Sequence, residues 1–161
     1  GVPFVSVFSH TDVDRDAWDT HPNHYSRVDG LISTADQVLA ALLEDLHGRG
    51  LLDDVLVIWL GEFGRTPRMG VTFSNNTNNV GGRDHWCNCF SILMAGGGVR
   101  GGNVVGSSDQ FGAYPRERAV HVSELQATIL HLMGVDPRAQ LYDITGQFRT
   151  ICDGNPVTEL F

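Results

Sequence analysis

Six consecutive apolar residues, Val55-Leu56-Val57-Ile58-Trp59-Leu60, run directly into Gly61-Glu62-Phe63-Gly64-Arg65-Thr66-Pro67. A run of this length, rich in β-branched and aromatic side chains and bounded by Asp53-Asp54 and Gly61, predicts a strand buried on both faces, as at the centre of a parallel sheet. A carboxylate, two glycines and a guanidinium then fall where such a strand emerges, and open α/β sheets bind ligands at the carboxyl ends of their strands. A tight turn with Glu62 and Arg65 solvated, or paired with each other, accounts for the same residues. Two further polar clusters, Trp18-Asp19-Thr20-His21-Pro22-Asn23-His24 and Gly82-Arg83-Asp84-His85-Trp86, also lie beside apolar runs. Three such loops are harder to attribute to chance than one.

The order of elements predicts an α/β chain. Residues 2–8 read as a first strand, followed by a polar loop from Ser9 to Arg27 that is dense in Asp and His; long loops of this kind are more often functional than idle. From about Val28 to His47, apolar residues recur at the spacing of one helical face, and Gly48 and Gly50 supply the stop. Strand, helix and strand at this spacing predict a right-handed βαβ unit with parallel strands, which would bring the Asp19 loop and Glu62 to one edge. A third strand is expected over 89–95. Asp84 and His85 precede it, so they reach that edge only if this strand runs antiparallel or the loop folds back, and one of these is expected. The loop between Gly61 and Trp86 contains Ser74-Asn75-Asn76-Thr77-Asn78-Asn79, too polar to be buried. Gly96-Gly97-Gly98 lacks the Gly-Lys-Ser/Thr of a phosphate loop and reads as a turn. Ser107-Ser108-Asp109 reads as a simple polar loop. A last helix is predicted from around Ser123, with Ser123 and Gln126 spaced as a capping box, ending at Gly134 before an irregular tail.

Length and charge narrow the function. The chain has 161 residues, enough for one core, and nothing divides it in two. A net charge of -8 argues against nucleic acid or an anionic membrane as main partner, since both reward clustered Lys and Arg. No apolar segment reaches the length of a membrane span, and no signal peptide is visible. Opening on Gly1-Val2-Pro3-Phe4, inside an expected core strand, suggests the C-terminal part of a longer domain. Three cysteines do not make a disulfide framework. Cys87 and Cys89 with His85 have poor spacing for a zinc knuckle, and alternation at the start of a strand explains the pair better. Cys152 reads as a small apolar residue.

Seven histidines in an acidic chain can hold cations. Asp19, His21 and His24 combine the oxygen and nitrogen donors that suit zinc, manganese or a similar divalent ion, Asp84-His85 repeats the combination, and Glu62 adds another carboxylate. Carboxylates gathered in a low-dielectric cleft repel one another and take up protons unless a cation joins them. One or two metals flanked by Arg65 and Arg83 would suit a tetrahedral oxyanion ester: the metal polarises an ester oxygen and activates water or a hydroxyl, and the guanidinium groups stabilise growing charge. Against this, a single loop histidine is commonly a surface residue, Asp84 can simply pair with Arg83, and Trp18 and Trp86 suit packing beside the loops.

Five segments taken together, Trp18-Asp19-Thr20-His21, Gly61-Glu62-Phe63-Gly64-Arg65-Thr66-Pro67, Gly82-Arg83-Asp84-His85-Trp86, Ala95-Gly96-Gly97-Gly98 and Ala127-Thr128-Ile129-Leu130-His131-Leu132-Met133-Gly134-Val135-Asp136, resemble a large bacterial family of uncharacterised, sulfatase-like proteins in the alkaline phosphatase-like superfamily. The resemblance spans nearly the whole chain in order. It implies an alkaline phosphatase-like mixed sheet sandwiched by helices, with metals at one edge held by positions matching Asp19 with His21, Glu62 and His85. It also implies export, often by the twin-arginine route, to the periplasm or beyond. Glu62 stands where the superfamily usually has Asp-His, and Asp19 and His21 are closer in sequence than the usual pair, which leaves His24 as a competing ligand. The half that carries the nucleophile in the superfamily is not in this chain.

The expectation is therefore the C-terminal part of a metal-dependent hydrolase of phosphate or sulfate esters. Asp19, His21, His24, Glu62, Asp84 and His85 are the candidate metal residues, with Arg65 and Arg83 as anion clamps. Its partners would be an anionic ester substrate and the N-terminal half of the same domain. The competing expectations are an exported binding or scaffold protein that keeps the fold without catalysis, and a cation-binding surface module, for which calcium would be the ion.

Overall fold

Why the helices form is readable from their periodicity; how they start is not. In the computed structural model, which describes residues 2–9, 18–70 and 81–161, α1 spans His24–Gly48. It begins a full turn before the apolar stripe predicts. Asn23 adopts left-handed backbone with φ 52°, which Asn tolerates better than most residues. His24 N–H then donates to Gly81 O at 3.3 Å, so a carbonyl from a distant loop does the work of a side-chain cap. The helix ends where expected, with Gly50 at φ 68°.

The strands differ from the expectation in pairing. Within the 55–60 run only β1, Val57–Trp59, is a ladder, and it pairs antiparallel with β4, Leu93–Ala95, in a two-stranded sheet. Its residues are half-buried, not enclosed on both faces. Residues 2–8 form no strand: Val7 is 89% and Phe8 86% exposed, and Pro3 has no N–H to contribute to a ladder. The parallel βαβ unit is thus absent among the described residues, because the first strand has no neighbour there and the second finds an antiparallel one. What stands is a mixed α/β chain of helices and short antiparallel strands.

The remaining elements are local. β2, Gly64–Arg65, pairs antiparallel with β3, His85–Trp86. β5, Ser107–Ser108, pairs with β6, Pro115–Glu117, where a simple loop was expected. α2 spans Val122–Leu132, and its capping box is formed by His121 and Glu124, two residues before the predicted pair. The expected irregular tail contains a hairpin, β7 Gln140–Tyr142 with β8 Phe148–Thr150. Cys87 and Cys89 lie between β3 and β4, outside any strand, so alternation along a strand is not their explanation. The Asn-rich run Ser74–Asn79 falls outside the described residues.

Apolar burial is concentrated around α2. Ala127, Cys152 and Val157 are buried apolar side chains, as is Pro137, and Thr128 is buried with them. Thr128 Oγ1 donates to Glu124 O at 2.7 Å and accepts from Val157 N at 2.9 Å, which ties the C-terminal segment to the helix. By contrast α1 buries no residue fully, and its Leu39 and Leu43 face Val57, Trp59 and Met94 across an open apolar groove.

One glycine controls how β2 meets its neighbours. A Cβ at Gly64 would lie 2.2 Å from Cys89 O, a backbone atom that cannot swing aside. Gly64→Ala is expected to destabilise the protein by about 1–3 kcal/mol, as overpacking does, and to loosen the β2–β3 ladder; a denaturant midpoint equal to wild type would contradict this close approach.

Candidate metal centre

The site is built by backbone hydrogen bonds that tie three loops together before any side chain is considered. The β2–β3 register sets Arg65 opposite His85. Just outside that ladder Thr66 N donates to Asp84 O at 2.8 Å, and Arg83 N donates to His21 O at 3.0 Å. The segment before α1 is thereby stitched to residues 83–86, which are stitched in turn to residues 64–66. Asp19 and His21 need only be two apart in non-helical backbone to share a side. Thr20 between them is fully buried and hydrogen-bonded to His24 Nδ1 at 2.8 Å.

One carboxylate oxygen is the focus. Asp19 Oδ1 lies 2.8 Å from His21 Nε2, 2.7 Å from His85 Nε2 and 3.4 Å from Arg65 Nη2. The hydrogen bond from His85, with the nearby His21 and His85 charges adding to it, holds the Asp19 carboxyl below its ordinary range against an opposing effect of burial. Arg65 Nη2 also donates to Trp18 O at 3.0 Å, while its Nη1 is buried with no hydrogen-bond partner among the described residues. The rings of His21 and His85 are 4.8 Å apart, and Phe63 packs on His85 at 4.4 Å.

Asp19, His21 and His85 offer one oxygen and two nitrogens, all within 4.8 Å of one another. A tetrahedral ion with ligands at about 2.1 Å holds them about 3.4 Å apart, so modest side-chain rotation would close this set around zinc or a similar ion. The donor types fit, and three protein ligands, one of them a half-exposed carboxylate, would leave a fourth coordination position open.

A family model described as Protein of unknown function (DUF1501) matches residues 1–161. The chain belongs to that family. No curated protein and no solved structure matches it significantly.

Within this member of the family, the other candidates from the sequence are distributed around the cluster. Asp84 is 5% exposed and approaches His21 from the other side of the ring, with Oδ1 3.0 Å from Nδ1. His24 is turned to Thr20. Glu62 is exposed and outside the described three-residue group. Arg83 reaches Pro67 O at 3.4 Å and lies over the Tyr25 ring at 5.5 Å, so among its described contacts it braces the loops and does not reach Asp19. Thr66, 3% exposed, accepts from Asp84 N through its hydroxyl at 3.1 Å; it and Thr20 support the site and were not singled out from the sequence. Both are hydroxyl residues inside the motif segments themselves, which is the one signal that could have flagged them.

Burial, with the positive charges of Arg65, Arg83 and His21 adding to it and the Thr20 carbonyl opposing, depresses the His24 pKa below its ordinary 6.5. Between the depressed value and 6.5 the unfolded chain binds a proton that the folded chain does not, so stability falls as pH is lowered through that window. Chemical denaturation of the metal-free protein should lose more stability from about pH 7.5 to about pH 5.5 in wild type than in His24→Gln. Equal losses would mean that His24 titrates normally.

Proposed function

We propose that this chain forms the C-terminal part of a metal-dependent hydrolase of phosphate or sulfate esters, within an alkaline phosphatase-like fold exported to the periplasm or beyond. The observation that carries the reading is the convergence of Asp19, His21 and His85 from two loops on one point, beside a buried Arg65 N–H that has no partner among the described residues. Two imidazole nitrogens favour zinc or manganese over calcium, which takes oxygen ligands. Such an ion, once bound, would polarise an ester oxygen and lower the pKa of bound water.

The chain's own residues supply the rest. Arg65 is anchored through Nη2 to Trp18 O and keeps Nη1 for an anionic oxygen, so the guanidinium is fixed in place before an ester arrives. The N-terminal end of α1 at His24 adds a positive dipole to the same region. Thr20 and Thr66 are 0% and 3% exposed, so neither hydroxyl is open to an ester as a nucleophile. In this reading the nucleophile comes from the N-terminal half of the domain. The open groove between α1 and the β1–β4 sheet, and the exposed apolar side chains of residues 2–8, support a partner half that covers them.

Elemental analysis of the full-length protein tests the reading. Stoichiometric zinc or manganese is expected in wild type and in Glu62→Ala, and its loss in Asp19→Ala and His85→Ala. Wild-type protein without metal would overturn the proposal. On an aryl phosphate or aryl sulfate ester, Arg65→Ala should lower kcat/KM by about 10²–10³ while metal content is kept, the usual cost of removing one donor to a developing oxyanion.

A further inference from the structure

We propose that Asp84 is the positioning residue of the site: its carboxylate holds the His21 imidazole at Nδ1, so that Nε2 is the nitrogen presented to a cation beside Asp19 and His85. The inference rests on the metal-centre reading and assigns a role within it to a carboxylate that the sequence places among the ligands.

Geometry separates the two aspartates. Asp19 lies at Nε2 of His21, at 2.8 Å, and Asp84 lies at Nδ1, at 3.0 Å. The two nitrogens of an imidazole point away from each other, so a cation bound through Nε2 sits across the ring from Asp84. Consistent with this, Asp84 falls outside the group of side chains whose donor atoms converge. The environments differ in the same sense. The Asp19 side chain is 54% exposed, as suits a group that meets a ligand from solvent, and that of Asp84 is 7% exposed.

Asp84 is also held as a positioning group must be. Its N–H donates to Thr66 Oγ1 and its carbonyl accepts from Thr66 N, so the residue is clamped on both sides of its Cα. Its Oδ1 accepts from His85 N at 3.0 Å, which couples the carboxylate to the backbone of the second imidazole ligand. His21 is fixed at its own carbonyl by Arg83 N. Between these two fixed backbones the His21 ring can still turn. Its Nδ1 is buried, and although it is 3.0 Å from Asp84 Oδ1 it makes no aligned hydrogen bond among the described residues. Rotation about the terminal side-chain torsion, which has a broad energy well, would align Nδ1–H with Oδ1 while swinging Nε2. A carboxylate on the far nitrogen fixes the tautomer and orientation of a ligating histidine and raises its basicity, and loss of such a partner typically weakens metal affinity by about 10–100-fold.

The test uses the full-length protein, zinc with a competing chromophoric chelator, and cobalt(II) as a spectroscopic substitute. Asp84→Asn keeps the shape of the side chain and removes its charge. It is expected to weaken zinc binding by about 10–100-fold while the cobalt absorption spectrum keeps its position and intensity; His21→Ala should change that spectrum. Unchanged zinc affinity in folded Asp84→Asn overturns the positioning role, and so does a cobalt spectrum altered as in His21→Ala, which would make Asp84 a ligand. A second readout needs no substitution at Asp84. In zinc-loaded wild type with ¹⁵N-labelled histidine, the resonance lost in His21→Ala should be a downfield, exchange-protected Nδ1–H; an Nε2–H there would mean that His21 binds through Nδ1 and overturns the proposal even if Asp84→Asn fails to fold. Wild-type protein that binds neither zinc nor cobalt would overturn the metal-centre reading itself, and this role with it.

Discussion

The antiparallel contact of Gly64-Arg65 with His85-Trp86 is the constraint on which the site depends. It is only two residues long, yet it sets the guanidinium of Arg65 opposite the imidazole of His85. It can form at this spacing because Gly64 has no side chain to strike Cys89. The ladder is extended beyond its formal end by the two bonds between Thr66 and Asp84, so a buried hydroxyl and a buried carboxylate are placed by the same contact. Backbone bonds of this kind have few alternatives once the segment is withdrawn from water, since each unmet donor or acceptor is expensive. Position comes first, and chemistry is layered on it.

Electrostatics then selects what gathers at the mouth of that ladder. Two imidazoles and a guanidinium all approach the single oxygen Asp19 Oδ1. Without a cation the nitrogens must carry hydrogens to make those contacts, and the carboxyl stays ionised because they do. A divalent ion would take the place of those hydrogens with the same donor atoms. Asp84 and the paired Thr20 and His24 lie behind this layer. They are more buried than Asp19 and are tied into backbone, as the supporting groups of a site need to be if its front is to stay in place.

The apolar surface has a different distribution from the polar site. Packing is tight where Thr128, Ala127, Cys152 and Val157 meet, and open along α1, whose Leu39 and Leu43 line a groove with residues of β1 and β4. A helix of this length draws most of its stability from tertiary contact. The groove beside α1 is where further apolar surface would be accommodated.

Short-range patterns alone determined much of this. The stripe from Val28 to His47 located α1, Gly50 and Gly134 marked helix ends, and the three polar segments held every residue of the cluster, because periodicity, turn chemistry and donor type are properties of neighbours in sequence. The partners of a strand are not such a property. Val55–Leu60 carries the composition of a parallel core strand, but antiparallel pairing with Leu93–Ala95 satisfies the same backbone groups, and residues 2–8 pair with no strand among the described residues. Nor can a list of candidate ligands say which atoms meet. Asp19 and Asp84 are alike as carboxylates; their places at the front of His21 and behind it follow from the Thr66–Asp84 and Arg83–His21 backbone bonds. The sequence named the participants, and only long-range hydrogen bonding between their loops assigned them sides of a ring.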